Sequence, residues 1–144
     1  MTAIVATVPI PRLNASLHVS DLRSAVFWGR RRWALVITMR GPDARYNMAR
    51  GEFSPKQVRA LGQALAQALE IMERSPVGDQ DARHVDAIAP GIFVERSRGT
   101  ALLRIQLSSG TRVFARHLTR DEVRTTLAVL TTLPERARQI AGAS

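Results

Sequence analysis

The sequence predicts an α+β protein of two tandem ββββα-like units, antiparallel curved sheets with helices packed on one side, related by a pseudo-twofold. Three observations carry this. Apolar and polar residues alternate with period two over 13–20 and 33–40, the signature of half-buried strands. One junction, a strand running into a capped helix, occurs at Phe53-Ser54 and again at Leu118-Thr119. Between the two copies lies 75–90, where Pro76, Gly78, Asp79, Asp81 and Pro90 read as a linker. The first unit is drawn as 1–74 with an N-terminal arm. The second is 91–144, a βββα unit with a C-terminal tail.

Leu13, Ala15, Leu17 and Val19 alternate with Asn14, Ser16, His18 and Ser20 in the first strand. Residues 21–24 read as a turn and 25–29 as a second strand, with Arg30-Arg31-Arg32 at or beside a hairpin tip. Trp33, Leu35, Ile37 and Met39 give the third strand its core face. Gly41-Pro42-Asp43 has turn chemistry, and 44–50 is a short fourth strand with Tyr46 and Met48 on one face. A helix then starts sharply. Ser54 is the N-cap, Pro55 the first helical residue and Gln57 the reciprocal capping partner, while Phe53 staples to Val58. Val58, Leu61, Leu65, Leu69 and Met72 form one helical stripe ending near Arg74. Gly62 weakens that helix by about 1 kcal/mol relative to alanine.

After the linker, which has room for a short strand at 84–88, the pattern returns. Residues 91–95 are matched to 25–29, with Phe93 against Phe27, and Ala101, Leu103, Ile105 and Leu107 repeat the third strand's core face. Residues 111–117 repeat the fourth strand, and Thr119, Glu122 and Val123 repeat cap, partner and staple. The matching offset drifts between 65 and 68 residues, so the units are expected to superpose over 13–73 and 85–133. Pro134 is expected to end or kink the second helix near Leu133, leaving a short helix or tail from 135 to 142.

Composition bounds the function. In 144 residues, 21 basic and 12 acidic side chains leave a net charge of +9. That field favours polyanions such as nucleic acid or anionic lipid. Lys56 is the sole lysine, and arginine suits bidentate phosphate contacts and stacking on bases, although a GC-rich genome also drifts toward arginine codons. No apolar run approaches the roughly 20 residues that span a bilayer, and the N-terminus lacks a basic leader, so neither a membrane contact nor a signal peptide is expected. The chain has no cysteine, which excludes disulfides and thiolate metal sites and suits a cytoplasmic setting.

Basic residues concentrate on the strands. Residues 23–50 hold seven arginines and one acid, and 92–118 hold five arginines and Glu95. Single-strand binders combine a basic groove with aromatic faces on which bases stack. Phe27-Trp28-Gly29-Arg30-Arg31-Arg32-Trp33 is the densest such segment. Trp33 is in phase with the core, and one of Phe27 and Trp28 points outward. A charge run of this kind is equally often a solvated turn. In Arg112-Val113-Phe114-Ala115-Arg116, Val113 and Ala115 take the core phase, so Arg112, Phe114 and Arg116 share the other face, as a stacking platform or as a surface buried under the other unit. The candidate nucleic-acid-binding residues are Trp28, Arg30, Arg31, Arg32, Arg40, Arg45, Arg50, Arg104, Arg112, Phe114 and Arg116.

Enzymatic motifs are not seen. No glycine-rich phosphate loop follows a strand, and no Ser-His-Asp or paired-carboxylate pattern stands out. Asp79, Asp81, His84 and Asp86 have metal-ligand types but sit in the linker, where such residues are common, so no metal or cofactor is expected. His18 and His117 read as ordinary sheet positions.

The segment Arg45-Tyr46-Asn47-Met48-Ala49-Arg50-Gly51-Glu52-Phe53-Ser54-Pro55-Lys56-Gln57-Val58 resembles the strand-to-helix junction of the PC4-like, Whirly and PUR single-stranded nucleic-acid-binding proteins. The tandem copy is similar to PUR repeats. The resemblance implies a curved sheet that binds unpaired strands, with two units packed together. This chain departs from PC4-type proteins in having almost no lysine. The expected function is therefore a non-enzymatic single-stranded DNA- or RNA-binding protein. A duplex-binding regulator, for which no helix-turn-helix is visible, and a protein-interaction module with an acidic partner are the alternatives. Sheet edges and helix faces are where copies of the chain would pair.

Overall fold

The computed structural model describes residues 4–21, 31–40, 47–74, 84–97 and 99–142. Its elements run β1 (Ile4–Val8), β2 (Asn14–Asp21), β3 (Arg31–Arg40), β4 (Asn47–Phe53), α1 (Pro55–Arg74), β5 (His84–Ala89), β6 (Ile92–Ser97), β7 (Thr100–Ser109), β8 (Arg112–Leu118) and α2 (Arg120–Gly142). Two antiparallel four-stranded sheets result, in orders β1-β2-β3-β4 and β5-β6-β7-β8. The molecule is thus α+β with two ββββα units in tandem.

Alternation holds where it was clearest. Ala15, Leu17 and Val19 of β2, and Leu35, Ile37 and Met39 of β3, are buried, and Ser16, His18 and Ser20 lie on the opposite face. Both helix starts form as the sequence predicts. Ser54 N–H donates to Gln57 Oε1 at 2.9 Å, and Gln57 N–H donates back to Ser54 Oγ at 3.3 Å. Thr119 and Glu122 make the same two bonds at 2.9 and 3.3 Å. In α1, Val58, Leu61, Leu65 and Met72 are buried.

Four features differ from the sequence reading. The first strand of the molecule is β1, inside what reads as an arm. Its Ile4-Val5-Ala6-Thr7-Val8 shows no alternation because it is an edge strand, with Ile4 and Val5 exposed. β2 pairs directly with β3, Asp21 opposite Arg31. The strand placed at 25–29 lies outside the described residues, so β6 corresponds by sheet position to β2 and not to that segment. β5 takes the 84–89 end of the supposed linker, where the sequence left room for a short strand, and gives the second unit four strands rather than three.

The last difference is α2, which continues through Pro134. The proline removes the N–H that would bond the Leu130 carbonyl, at about 3 kcal/mol. Beyond the ring Ala137 is buried and Ile140 packs on the core. Burial of these two side chains, at about 25 cal/mol per Å² of apolar surface, favours continuing the helix against that break.

The units share one core. α1 packs on β3 and β4 but also on β5, β6 and β7, while α2 packs on β7 and β8 and on β2. β4 runs against β7, where a Cβ on Gly51 would lie 2.9 Å from the Leu107 side chain. At the β5–β6 turn, Gly91 has φ +77°, and a Cβ would meet the Gln106 carbonyl oxygen at 2.8 Å, so no L side chain fits. Among the described residues no helix is long and apolar enough to cross a membrane.

Candidate nucleic-acid interface

With the helices on the inner faces, each sheet has one outward face. On the first sheet it is built from the even-numbered residues of β2, β3 and β4. Ser16 lies opposite Val36, Asn14 opposite Thr38 and Ser20 opposite Arg32 across β2–β3, and Thr38 lies opposite Arg50 across β3–β4. Arg32, Arg40 and Arg50 are exposed. Arg32 and Arg50 mark the two ends of this face, roughly 20 Å apart at about 3.3 Å per strand residue. Arg40 follows the register shift at the end of β3. Val36 is 5% exposed, yet it belongs to this outward face and not to the shared core.

An open pocket of about 790 Å³ lies at the Arg32 end. His18, Ser20, Arg32 and Glu52 come from the strands, Ser54 and Gln57 from the start of α1, and small Ala34 lets the surface dip between them. The His18 ring is held by its Nε2 against Ser16 Oγ at 2.9 Å. Ser20 Oγ donates to the Arg32 carbonyl at 3.3 Å. Trp33 and Pro55 form the apolar wall.

The second sheet's outward face is wired differently. Arg104 sits in the middle of β7, with Phe93 opposite on β6 and His117 opposite on β8. Its guanidinium lies 4.6 Å from the Phe93 ring centroid and bonds Glu95 at 2.5 Å. His117 Nε2 is 3.5 Å from the other oxygen of Glu95. The Glu95 and Arg104 side chains are 13% and 20% exposed, so the pair is largely desolvated and committed to itself.

The candidates therefore part company. Arg32, Arg40 and Arg50 share an accessible face. Arg31 opens β3, while Trp28, Arg30 and Arg45 lie outside the described residues. Arg104 is engaged by Glu95. Arg112 is exposed at the start of β8.

Phe114 and Arg116 require a correction of phase. Phe114 pairs with Leu107, Arg116 with Ile105 and Leu118 with Leu103, so all three are on the core side of β8. Phe114 packs on the core and Val113 is 57% exposed, the reverse of the sequence reading. Arg116 bonds the carbonyls of Ala115 and Arg40, tying β8 to the end of β3. Counting back by twos from the staple residue Leu118 would have fixed this phase. The same count would have placed His117 outward, beside Arg104 and Glu95. Neither Glu95 nor Glu52 stands out in the sequence, because an acid's cross-strand neighbours are set by register and not by local pattern.

The linker acids also resolve in part. Asp86 lies in β5 and bonds Arg96 at 2.8 Å, while Asp79 and Asp81 lie outside the described residues. No group of three metal-ligating side chains occurs among the described residues. No protein-family model matches the chain, and no curated protein matches it at a significant level.

Proposed function

We propose that the chain is a non-enzymatic single-stranded nucleic-acid-binding protein, DNA or RNA, that uses the outward face of the first sheet. The observation that supports this most is the exposure of Arg32, Arg40 and Arg50 on one outward sheet face of a +9 chain. Hydroxyl and imidazole groups of Ser16, His18 and Thr38 lie between them and offer hydrogen bonds to phosphate and sugar oxygens. The second unit acts mainly as scaffold on this reading, since Arg104 is held by Glu95. A true duplication with pseudo-twofold symmetry belongs to the same proposal, and the reciprocal packing of α1 on β6 and α2 on β2 favours it. Membership of the PC4-like, Whirly and PUR group and a cytoplasmic setting are further parts of the proposal. Stacking on Phe114 is dropped, and the Trp33 edge of the Arg32 pocket takes its place as the aromatic surface.

Fluorescence anisotropy with labelled oligothymidine, oligouridine and a duplex of equal length tests it. Single strands are expected to bind more tightly than duplex, with affinity falling steeply as salt rises. Absence of binding to any of the three at low salt overturns the reading. A second reading, pairing through β1 with another strand or a second copy, is favoured by the uncharged edge carrying exposed Ile4 and Val5.

A further inference from the structure

We infer that the groove between α1 and α2 is a binding site for a small amphiphilic anion, an aromatic or medium-chain body carrying one acid group. The groove has a volume of about 480 Å³, within the range of small-molecule sites. Val58, Ala66, Leu127 and Leu130 give it apolar walls, and Trp33 adds its indole from β3. Arg59 is exposed at the same groove, and among the described residues no acid lines it. An apolar cleft with one cation matches a ligand whose body is buried and whose acid pairs with a guanidinium. A second copy of this chain would instead bring like charge toward Arg59.

The helices keep this space open at a cost to themselves. Each carries one residue that disfavours a helix interior, Gly62 in α1 and Pro134 in α2, and both line the groove. Glycine in a helix is often there because a neighbour crowds it, as Leu107 crowds Gly51 of β4. Gly62 has no such neighbour: a Cβ there would meet nothing within 4 Å. The lost helix propensity is therefore not recovered in protein packing, which is intelligible if the room beside Gly62 serves a ligand. Pro134 on the facing wall presents a rigid ring without an N–H, an apolar surface suited to the same occupant. Nucleic-acid binding plays no part in this argument.

The test uses 1-anilinonaphthalene-8-sulfonate and its uncharged relative N-phenyl-1-naphthylamine, titrated by fluorescence against the full chain. Wild type is expected to bind the sulfonate saturably at one site. Gly62→Leu grows into empty space and is expected to weaken binding by about tenfold or more, because the leucine occupies the apolar surface the ring would bury. Its melting temperature should hold or rise, since leucine exceeds glycine in helix propensity. Ala66→Leu, on the same wall, is the second filling variant. Arg59→Gln is expected to weaken the sulfonate severalfold and leave the neutral probe unchanged. No saturable binding by wild type overturns the site, as do folded filling variants that bind like wild type. Equal loss of both probes in Arg59→Gln, or loss of neither, overturns the anion. A wild-type dimer that Gly62→Leu dissociates assigns the groove to a second copy and overturns the ligand.

Discussion

The two outward sheet faces share one backbone plan and spend their charges in opposite ways. On the first, the central β3 position is Val36, flanked by Ser16 and Glu52. On the second, the matching β7 position is Arg104, flanked by Phe93 and His117 with Glu95 in reach. An arginine beside an acid on a half-covered face closes on it. Where the acid, Glu52, faces a valine, Arg50 one pair along the same strand stays exposed. Net charge alone therefore does not locate an interface. The position of each acid relative to each arginine, one strand over, decides which cations remain accessible to phosphate.

The largest expected effect tests whether the faces belong to one folding unit at all. Leu65 of α1 and Leu133 of α2 are fully buried in the shared core. Leu65→Ala and Leu133→Ala should each destabilise by about 2–5 kcal/mol. Each should lower a single cooperative transition followed by calorimetry. Two separated transitions, with each substitution moving only one, would show independent units and remove the basis for comparing their faces within one body.

Next comes binding. Replacing Arg32, Arg40 and Arg50 together with alanine should weaken single-strand affinity strongly. It should also reduce the salt slope by about 2, from about 0.7 per lost phosphate contact. Arg104→Ala should change the slope by less than one contact. Equal effects from the two faces would break the comparison. Glu95→Gln sharpens it from the other side: releasing Arg104 should add up to one contact, a slope increase of about 0.7, if the internal pairing is what withholds it.

How far the sequence carried this picture depends on which signals are local. Cap and staple are local, and both helix starts are where Ser54 and Thr119 put them. The β2, β3 and α1 stripes needed only periodicity. What failed depended on neighbours. β1 has no sequence alternation because this edge strand carries apolar Val5 on its exposed side, beside Ala6 and Val8 on the side that reaches the core. Pro134 reads as a stop, but the apolar positions after it are held by the rest of the core. The 22–30 stretch between β2 and β3 has only residues 98 and 99 as its counterpart in the second unit. That inequality shifted the repeat alignment from 25–29, the segment the sequence pairs with 91–95, to β2. Arg50 and Arg104 look alike in sequence, and only cross-strand register separates the exposed one from the engaged one.

Phe114 gives a sharp check on that register. Because it packs inward, Phe114→Ala should act on stability, by about 1–3 kcal/mol for a partly buried ring. Single-strand affinity measured well below the melting temperature should be nearly unchanged. A variant that melts like wild type yet binds less tightly would restore the stacking role and overturn the assigned phase of β8.

The smallest effect compares the two helix caps, which are alike in geometry and differ in charge. The first box uses neutral Gln57 and the second uses Glu122, which also meets Arg12 at 3.0 Å. The Thr119 backbone N–H holds the Glu122 carboxyl below its ordinary value of 4.5; partial burial opposes it, and the Arg12 guanidinium adds a lesser lowering. A folded-state pKa below the unfolded one means that the carboxylate contributes stability above about pH 4.5. That contribution fades as pH falls through the lowered folded value. Glu122→Gln keeps the box, so it should cost only about 0.3–1 kcal/mol at pH 7, from the lost charge at the helix start and the lost ion pair. The wild-type advantage should narrow as pH drops from 5 toward 3, in melts followed by circular dichroism. Gln57→Glu is the mirror experiment: it should create a similar acid-sensitive increment in the first box, smaller because among the described residues no arginine bonds Gln57 as Arg12 bonds Glu122. An advantage of Glu122 that stays constant across that range would mean that geometry alone, shared by both caps, sets their strength.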